Sequence, residues 1–565
     1  MGYDAVIPYL GEFGRYQKRI YFLLCLPAIL CAFHKLAGPF LLATPEHRCQ
    51  LPFEKSNATY NLEPHIKELS YPMDPLKNAY ATCTYLNASF DDEYFNGNTP
   101  VTEVKSCDKW VYDKSVYLSS TVTEWDMVCS NNWLRATADA IFMVGVMLGS
   151  IIFGDLADRF GRLPIFFASL VIQVVFGIAV AISPEYITYS ISRLIVGATT
   201  SGVFLVAYVI GMEMVGPSYR TFAGICCMMF FSVGYMMTAG FAYFFRDWRT
   251  LQIALTLPGL AFMCYWWFIP ESVRWLLSQN RKEEAIEIIQ KAAKENNVTV
   301  PQEVLDNLIE PQEKVPEDEN KPSLLDLFRY PNLRKKSLLI FFNWFVNSGT
   351  YYGLSWNTGS LGGHYLLSFV ISGFVEIPAY TFIIFTLDRW GRRNILSGCM
   401  IAAGTVLLLT GFIPDSQPWL LISLAMLGKL AITSSYGCIY VFSAEQFPTV
   451  VRNVGLGAAS TAARIGGIMA PYFNLLSDVW KPLPLIIFGG LAFAGGILSL
   501  SLPETLNKRL PETIADGEQF GKKGKDEDSN AEELKVLHVQ KEPEAHSNGL
   551  LHATDEDKRD NTERY

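Results

Sequence analysis

Asp158-Arg159-Phe160-Gly161-Arg162 returns 230 positions later as Asp388-Arg389-Trp390-Gly391-Arg392. Two more pairs keep almost the same spacing. Glu213…Arg220 recurs as Glu445…Arg452 and Pro270-Glu271-Ser272 as Pro503-Glu504-Thr505, at offsets of 232 and 233. Each copy follows an apolar run of spanning length, so the repeated unit is a set of six apolar segments with their polar turns. Near-equal offsets at equivalent turns mean a duplicated bundle, the architecture of a rocking carrier whose site lies between its halves.

Composition agrees: of 565 residues, 50% are hydrophobic and 18% charged, a membrane-protein balance. Hydropathy places twelve spans near 21–43, 136–154, 164–183, 187–211, 221–245, 249–269, 337–356, 365–387, 394–413, 418–443, 452–476 and 483–502. The expected fold is an all-α membrane protein of twelve transmembrane helices in two pseudo-symmetric six-helix bundles. Its division is an N-terminus at 1–20, a first bundle at 21–269 with a large loop at 44–135, a linker at 270–335, a second bundle at 336–503 and a tail at 504–565. The linker reads as amphipathic helix and the tail as largely disordered. Glu12, Arg15, Lys18 and Arg19 lead straight into the first span, so no cleaved signal peptide is expected.

Arginines and lysines fall in alternate loops, which puts both termini in the cytoplasm and the large loop outside, in a plasma-membrane protein. That loop carries Cys49, Cys83, Cys107 and Cys129, read as two disulfides with three possible pairings. It also holds the glycosylation sequons at Asn57 and Asn87; a third, at Asn297, lies on the inner side and should be silent. Asp155, Asp158, Arg159, Arg162, Glu213, Arg220, Glu271 and Arg274, mirrored by Asp388, Arg389, Arg392, Glu445 and Arg452, place charges of both signs at helix ends. They are candidate ion pairs that close the cytoplasmic face and break when the halves rock apart.

The candidate site centres on Arg464, in the apolar stretch VRNVGLGAASTAARIGGIMAPYFNLL at 451–476. A charge at that depth costs roughly 2.5–3.5 kcal/mol on insertion scales, so it needs a wet cavity, a partner or an anionic ligand. Asn453, Gly457, Ser460, Gly467 and Pro471 share its face, a lane of small and polar residues. Aromatic faces for an ammonium group are offered by Tyr235, Trp344, Tyr351, Tyr436 and Tyr440. Glu376 and Tyr380 lie four apart on one helix face, and Lys429 is placed to pair with Glu376 or attract anions. His34-Lys35 reads as a lysine snorkelling toward the interface.

GDLADRFGR at 154–162 resembles the loop signature of the major facilitator superfamily. FLLATPEHRC at 40–49, STVTEWDMVC at 120–129, PESVRWLLSQNR at 270–281 and SAEQFPTVVRNVGLG at 443–457 resemble the organic cation, carnitine and organic anion transporter family. The likeness covers residues 1 to about 515 and is closest to insect organic cation transporter proteins and to carnitine/organic cation transporters. It implies alternating access. Organic cation members carry aspartate where this chain has Arg464, whereas carnitine and anion members carry arginine. Anion members carry lysine at Tyr380 and aspartate at Glu376. An anion-type eleventh span beside a cation-type eighth implies a zwitterion.

The expectation is therefore a secondary transporter of organic cations and zwitterions such as carnitine, working as a monomer. No cofactor is expected; sodium is the candidate coupling ion. The alternatives are a potential-driven, polyspecific organic cation uniporter and, third, an organic anion exchanger disfavoured by Tyr380. Enzyme readings fail. The glycine spacing at 211–218 resembles a phosphate loop, but Pro217 stands where the lysine must be and no strand precedes it. No Cys/His cluster has metal spacing, and no basic patch points to nucleic acid.

Overall fold

The computed structural model describes residues 3–55, 58–74, 79–90, 94–95, 103–309, 323–358, 364–414, 416–508 and 510–521. Asn57 and the tail beyond 521 lie outside the described residues. The first bundle consists of α1 (Arg15–Leu36), α2 (Asn132–Phe160), α3 (Arg162–Ala181), α4 (Tyr186–Met214), α5 (Arg220–Phe244) and α6 (Trp248–Thr256). The second consists of α7 (Pro331–Trp356), α8 (Tyr365–Phe374 continuing as Glu376–Trp390), α9 (Arg392–Leu409), α10 (Pro418–Gln446), α11 (Arg452–Asn474) and α12 (Leu483–Ser499).

Among the described residues, eight helical spans are long and apolar enough on their own to cross a membrane. The other four depart for different reasons. Pro258 stops α6, which continues only as the short turns Pro258–Phe262 and Met263–Trp267. α12 has 17 residues. α7 and α11 are long enough but too polar, because they carry the site: Asn343, Asn347 and Ser348 on one, Asn453, Ser460 and Arg464 on the other. In α8 the break at Val375 precedes Pro378, whose ring displaces the carbonyl four residues back at Phe374. α7 and α11 pack backbone to backbone: a Cβ on Gly466 would sit 2.2 Å from the Phe345 carbonyl oxygen.

The segment between α1 and α2 is a separate small unit. Three antiparallel ribbons pair His47–Cys49 with Trp110–Tyr112, Met73–Asp74 with Ala79–Tyr80, and Thr84–Leu86 with Val104–Ser106. The disulfides are Cys49–Cys107 and Cys83–Cys129, one of the three pairings the sequence leaves open. A core of Leu51, Tyr71, Tyr85, Phe90 and Tyr94 fills the unit. A buried Arg48–Glu54 pair at 2.6 Å completes it.

The two halves meet at the end that carries this large loop. There α2 packs on α11 and α5 on α8. Tyr472 Oη donates to Thr137 at 3.2 Å, Trp356 Nε1 donates to the Lys35 carbonyl at 3.4 Å, and Phe40 stands edge-on to Phe369 at 4.7 Å. At the opposite end, among the described residues, side-chain hydrogen bonds and ion pairs stay within one half or join it to the linker or termini. The small-residue lane on α11 reads the same way. Asn453 and Gly457 are exposed, Ser460 and Arg464 half-buried, Gly467 and Pro471 buried. The cleft between the halves is open at the repeated-motif end and closed under the large loop.

Residues 510–521, assigned to the polar tail, are instead packed. The helix Ile514–Gln519 docks on the start of α7, where Glu518 accepts from the backbone N–H of Asn332 and Leu333 at 2.9 and 3.0 Å. Lys336 Nζ donates to the Phe520 carbonyl at 2.6 Å. The periodicity is too short to read as a helix from sequence; caps and a carboxylate at a helix N-terminus hold it.

Candidate functional site

Two separate charged centres lie between the bundles, joined by aromatic rings. The first is sealed. Lys429 on α10 stands 3.2 Å from Glu376 on α8, with side chains 1% and 0% exposed. Glu376 also accepts from Tyr351 Oη at 2.6 Å and from Ser232 Oγ at 2.7 Å. Lys429 bonds the Ser355 hydroxyl and lies 3.8 Å from the Tyr351 ring centre. Tyr235 shares a 2.9 Å hydrogen bond with Ser372. Ser232 and Tyr235 come from the first bundle and all the others from the second, so this network is also a bond between the halves. A buried pair of this kind survives only when its remaining lone pairs and protons are satisfied, as they are here.

The second centre is open. Arg464 Nη1 donates to the Ser460 carbonyl at 2.8 Å and to its hydroxyl, one turn back on its own helix. Its Nε has no hydrogen-bond partner among the described residues. Among the described residues no carboxylate lies within ion-pair distance of it. One turn further along α11, the Cβ position of Gly467 lies 3.4 Å from the Tyr352 ring on α7. The cluster beside it packs Trp344 on Tyr440 at 4.4 Å and Tyr436 on Tyr440 at 5.6 Å. Tyr436 also meets Tyr351 at 5.9 Å, linking the two centres. Tyr440 is 46% exposed, whereas Trp344 is buried with its Nε1 on Ser443 at 2.8 Å. Tyr380 is buried against Gly437.

The structure thus gathers Tyr235, Tyr351, Glu376 and Lys429 into one network, and Trp344, Tyr436 and Tyr440 beside Arg464. Sequence reading missed Ser232, Ser355 and Tyr352. Hydroxyls on apolar helices carry no periodic signal, and Tyr352 stands next to a residue assigned to another face. It also misplaced Lys35. Instead of snorkelling to the membrane edge, its ammonium lies 5.1 Å from the Tyr352 ring and 5.9 Å from the Phe231 ring.

The repeated turns form two near-copies of one latch. Gly161 and Gly391 have φ of +107° and +88°, and a Cβ there would lie 2.7 and 2.5 Å from Glu271 and Glu504. Those carboxylates cap the next helix: Glu271 accepts from the N–H of Arg162 and Leu163 at 3.1 Å, Glu504 from Arg392 and Arg393 at 2.9 and 3.1 Å. Burial holds the Glu271 carboxyl above its ordinary range, against these lowering bonds. Arg162 then pairs with Asp158 at 2.7 Å and Glu213 at 3.3 Å, and Arg392 with Asp388 at 2.9 Å and Glu445 at 3.2 Å. Arg159 pairs with Asp155 at 2.9 Å; Arg220 at 3.1 Å and Arg274 both reach Asp4, a partner the sequence did not suggest. Arg452 bonds Thr449, and Arg389 is exposed. The expectation was of pairs that close the face between the halves. In this conformation they run within each half or to the N-terminus, since the halves are apart at this end.

Asn87 is exposed and its side chain donates to Glu103 at 3.1 Å.

A duplicated six-helix bundle with a charged, aromatic-walled cleft between its halves defines a secondary membrane carrier. Residues 82–515 match the family described as sugar (and other) transporter, and the chain belongs to that family: it is a major facilitator transporter, not an enzyme. It is 62% identical over 531 residues to the organic cation transporter protein of Drosophila melanogaster, covering 93% of this chain and 96% of that one. It is 38% identical over 522 residues to the human organic cation/carnitine transporter 2 (91% and 93% covered). To the β-alanine transporter of Drosophila melanogaster it is 35% identical over 545 residues, covering 92% and 89%. In fold it is similar to the E. coli xylose transporter XylE in a partially occluded inward-open conformation, with a TM-score of 0.59, 15% identity and 88% and 100% coverage.

Proposed function

We propose that this chain carries organic zwitterions with a carboxylate at one end and an ammonium at the other, along with related organic cations, across the plasma membrane. The observation that supports this reading is Arg464: a half-buried guanidinium with no acidic partner among the described residues, on the helix whose Gly467 meets the Tyr352 ring. Its fork suits a carboxylate, and the faces of Tyr436 and Tyr440 suit an ammonium, at about 2 kcal/mol per desolvated contact. Relatives named for organic cations, for carnitine and for β-alanine fit a site with both subsites.

The large loop with its two disulfides is outside and both termini are inside, so the present state faces the cytoplasm. Opening outward requires the bonds of Ser232 to Glu376 and Tyr235 to Ser372 to break, while the latches keep each bundle rigid. Radiolabelled carnitine uptake by oocytes tests the reading: Arg464→Ala should abolish saturable uptake, and unchanged uptake would remove the role of Arg464.

The second reading is potential-driven uniport of organic cations. It is favoured by one feature, that Glu376 is already neutralised by Lys429 and offers sodium no free carboxylate. Tetraethylammonium uptake that outruns carnitine and ignores sodium would establish it.

A further inference from the structure

We propose that Lys35 is the second cation of a carboxylate clamp, acting together with Arg464 and resting on the zwitterion reading above. Lys35 sits in the last turn of α1, in the first bundle, while Arg464 belongs to the second. Its ammonium makes no ion pair among the described residues and lies over the rings of Phe231 and Tyr352, at 5.9 and 5.1 Å. Tyr352 joins the two cations. Its ring lies 5.1 Å from the Lys35 ammonium, and the Cβ position of Gly467, one turn beyond Arg464, is 3.4 Å from that ring.

With Lys35 over the Tyr352 ring and Arg464 one turn from the glycine that touches that ring, and with no carboxylate paired to either among the described residues, the two cations repel in a medium of low dielectric constant. A carboxylate placed between them removes that repulsion and takes donors from both, whereas a lone organic cation would add a third positive charge. The Glu376–Lys429 pair does not offset this, since its charges cancel. The clamp therefore selects substrates that carry a carboxylate. Because its jaws come from different bundles, it also ties substrate binding to closure of the cleft. Neither cation alone has that property.

The test compares carnitine with choline, which shares the trimethylammonium group and lacks the carboxylate. Uptake of each is measured in oocytes expressing wild type, Lys35→Met, Lys35→Arg and Arg464→Met, normalised to surface protein. Lys35→Met should raise the carnitine KM about tenfold or more, the loss of one charge-assisted bond, and leave choline uptake unchanged or higher. Lys35→Arg should stay within about threefold of wild type. A carnitine KM within about twofold of wild type in Lys35→Met, while Arg464→Met lowers carnitine uptake about tenfold or more, overturns the clamp and leaves the zwitterion reading standing. Wild-type protein that prefers choline to carnitine overturns both. If Lys35→Met fails to reach the surface, Lys35→Gln is read by the same criteria.

Discussion

Lys429 and Arg464 are both cations placed deep in the bilayer, yet their surroundings differ in every respect that matters. Lys429 is sealed, paired with Glu376 and bonded to a hydroxyl; Arg464 is half-exposed and bonded only to its own helix. The first arrangement holds two bundles together, and the second leaves charge unspent for a guest. A buried charge is thus classified by what already neutralises it, not by residue type or depth. By that rule Lys35 groups with Arg464.

The comparison breaks most readily at the sealed centre. Lys429→Met strands Glu376 without its counter-charge and should cost about 3–5 kcal/mol of stability, read as a lower melting temperature in detergent. Adding Glu376→Gln should recover most of that loss. A single variant as stable as wild type would mean the pair is not the buried element described. Arg464→Met should behave in the opposite way. It removes no ion pair, so its melting temperature should stay near or above that of wild type while carnitine uptake falls about ten- to a hundredfold.

Ser232→Ala sharpens the point at lower cost. It deletes one hydrogen bond between the bundles, worth about 1 kcal/mol, and shifts the equilibrium toward the outward-facing state by roughly fivefold. Labelling of Gly467→Cys by an impermeant thiol reagent from outside would report the shift; unaltered labelling would place the inter-bundle hold elsewhere. The smallest effect is expected for Tyr440→Phe, which keeps the ring and should change carnitine KM by less than about threefold.

Much of this was legible in the sequence, though unevenly. The duplicated turns announced the two bundles because tight turns and helix caps demand particular residues: Gly161 and Gly391 for their positive φ, Glu271 and Glu504 for the N–H groups they cap. Arg464 stood out because a guanidinium in an apolar span lined by small residues must be solvated or paired by something. Partnerships were harder. Nothing in the local pattern says that Asp4 meets Arg220 and Arg274, or that Ser232 meets Glu376, because those contacts join residues far apart in the chain. The helix at Ile514–Gln519 was hidden for a related reason: six residues are too few to show a period, and its anchor is Lys336, nearly two hundred positions away.

The most direct measurement is the ratio of carnitine to choline uptake in wild type and in Arg464→Met at equal surface abundance. An unneutralised guanidinium serving as the carboxylate anchor predicts that the wild type strongly favours carnitine and that the variant loses this preference, chiefly through KM. Equal falls in both uptakes, with the ratio intact, would show that Arg464 supports the fold and does not touch the substrate.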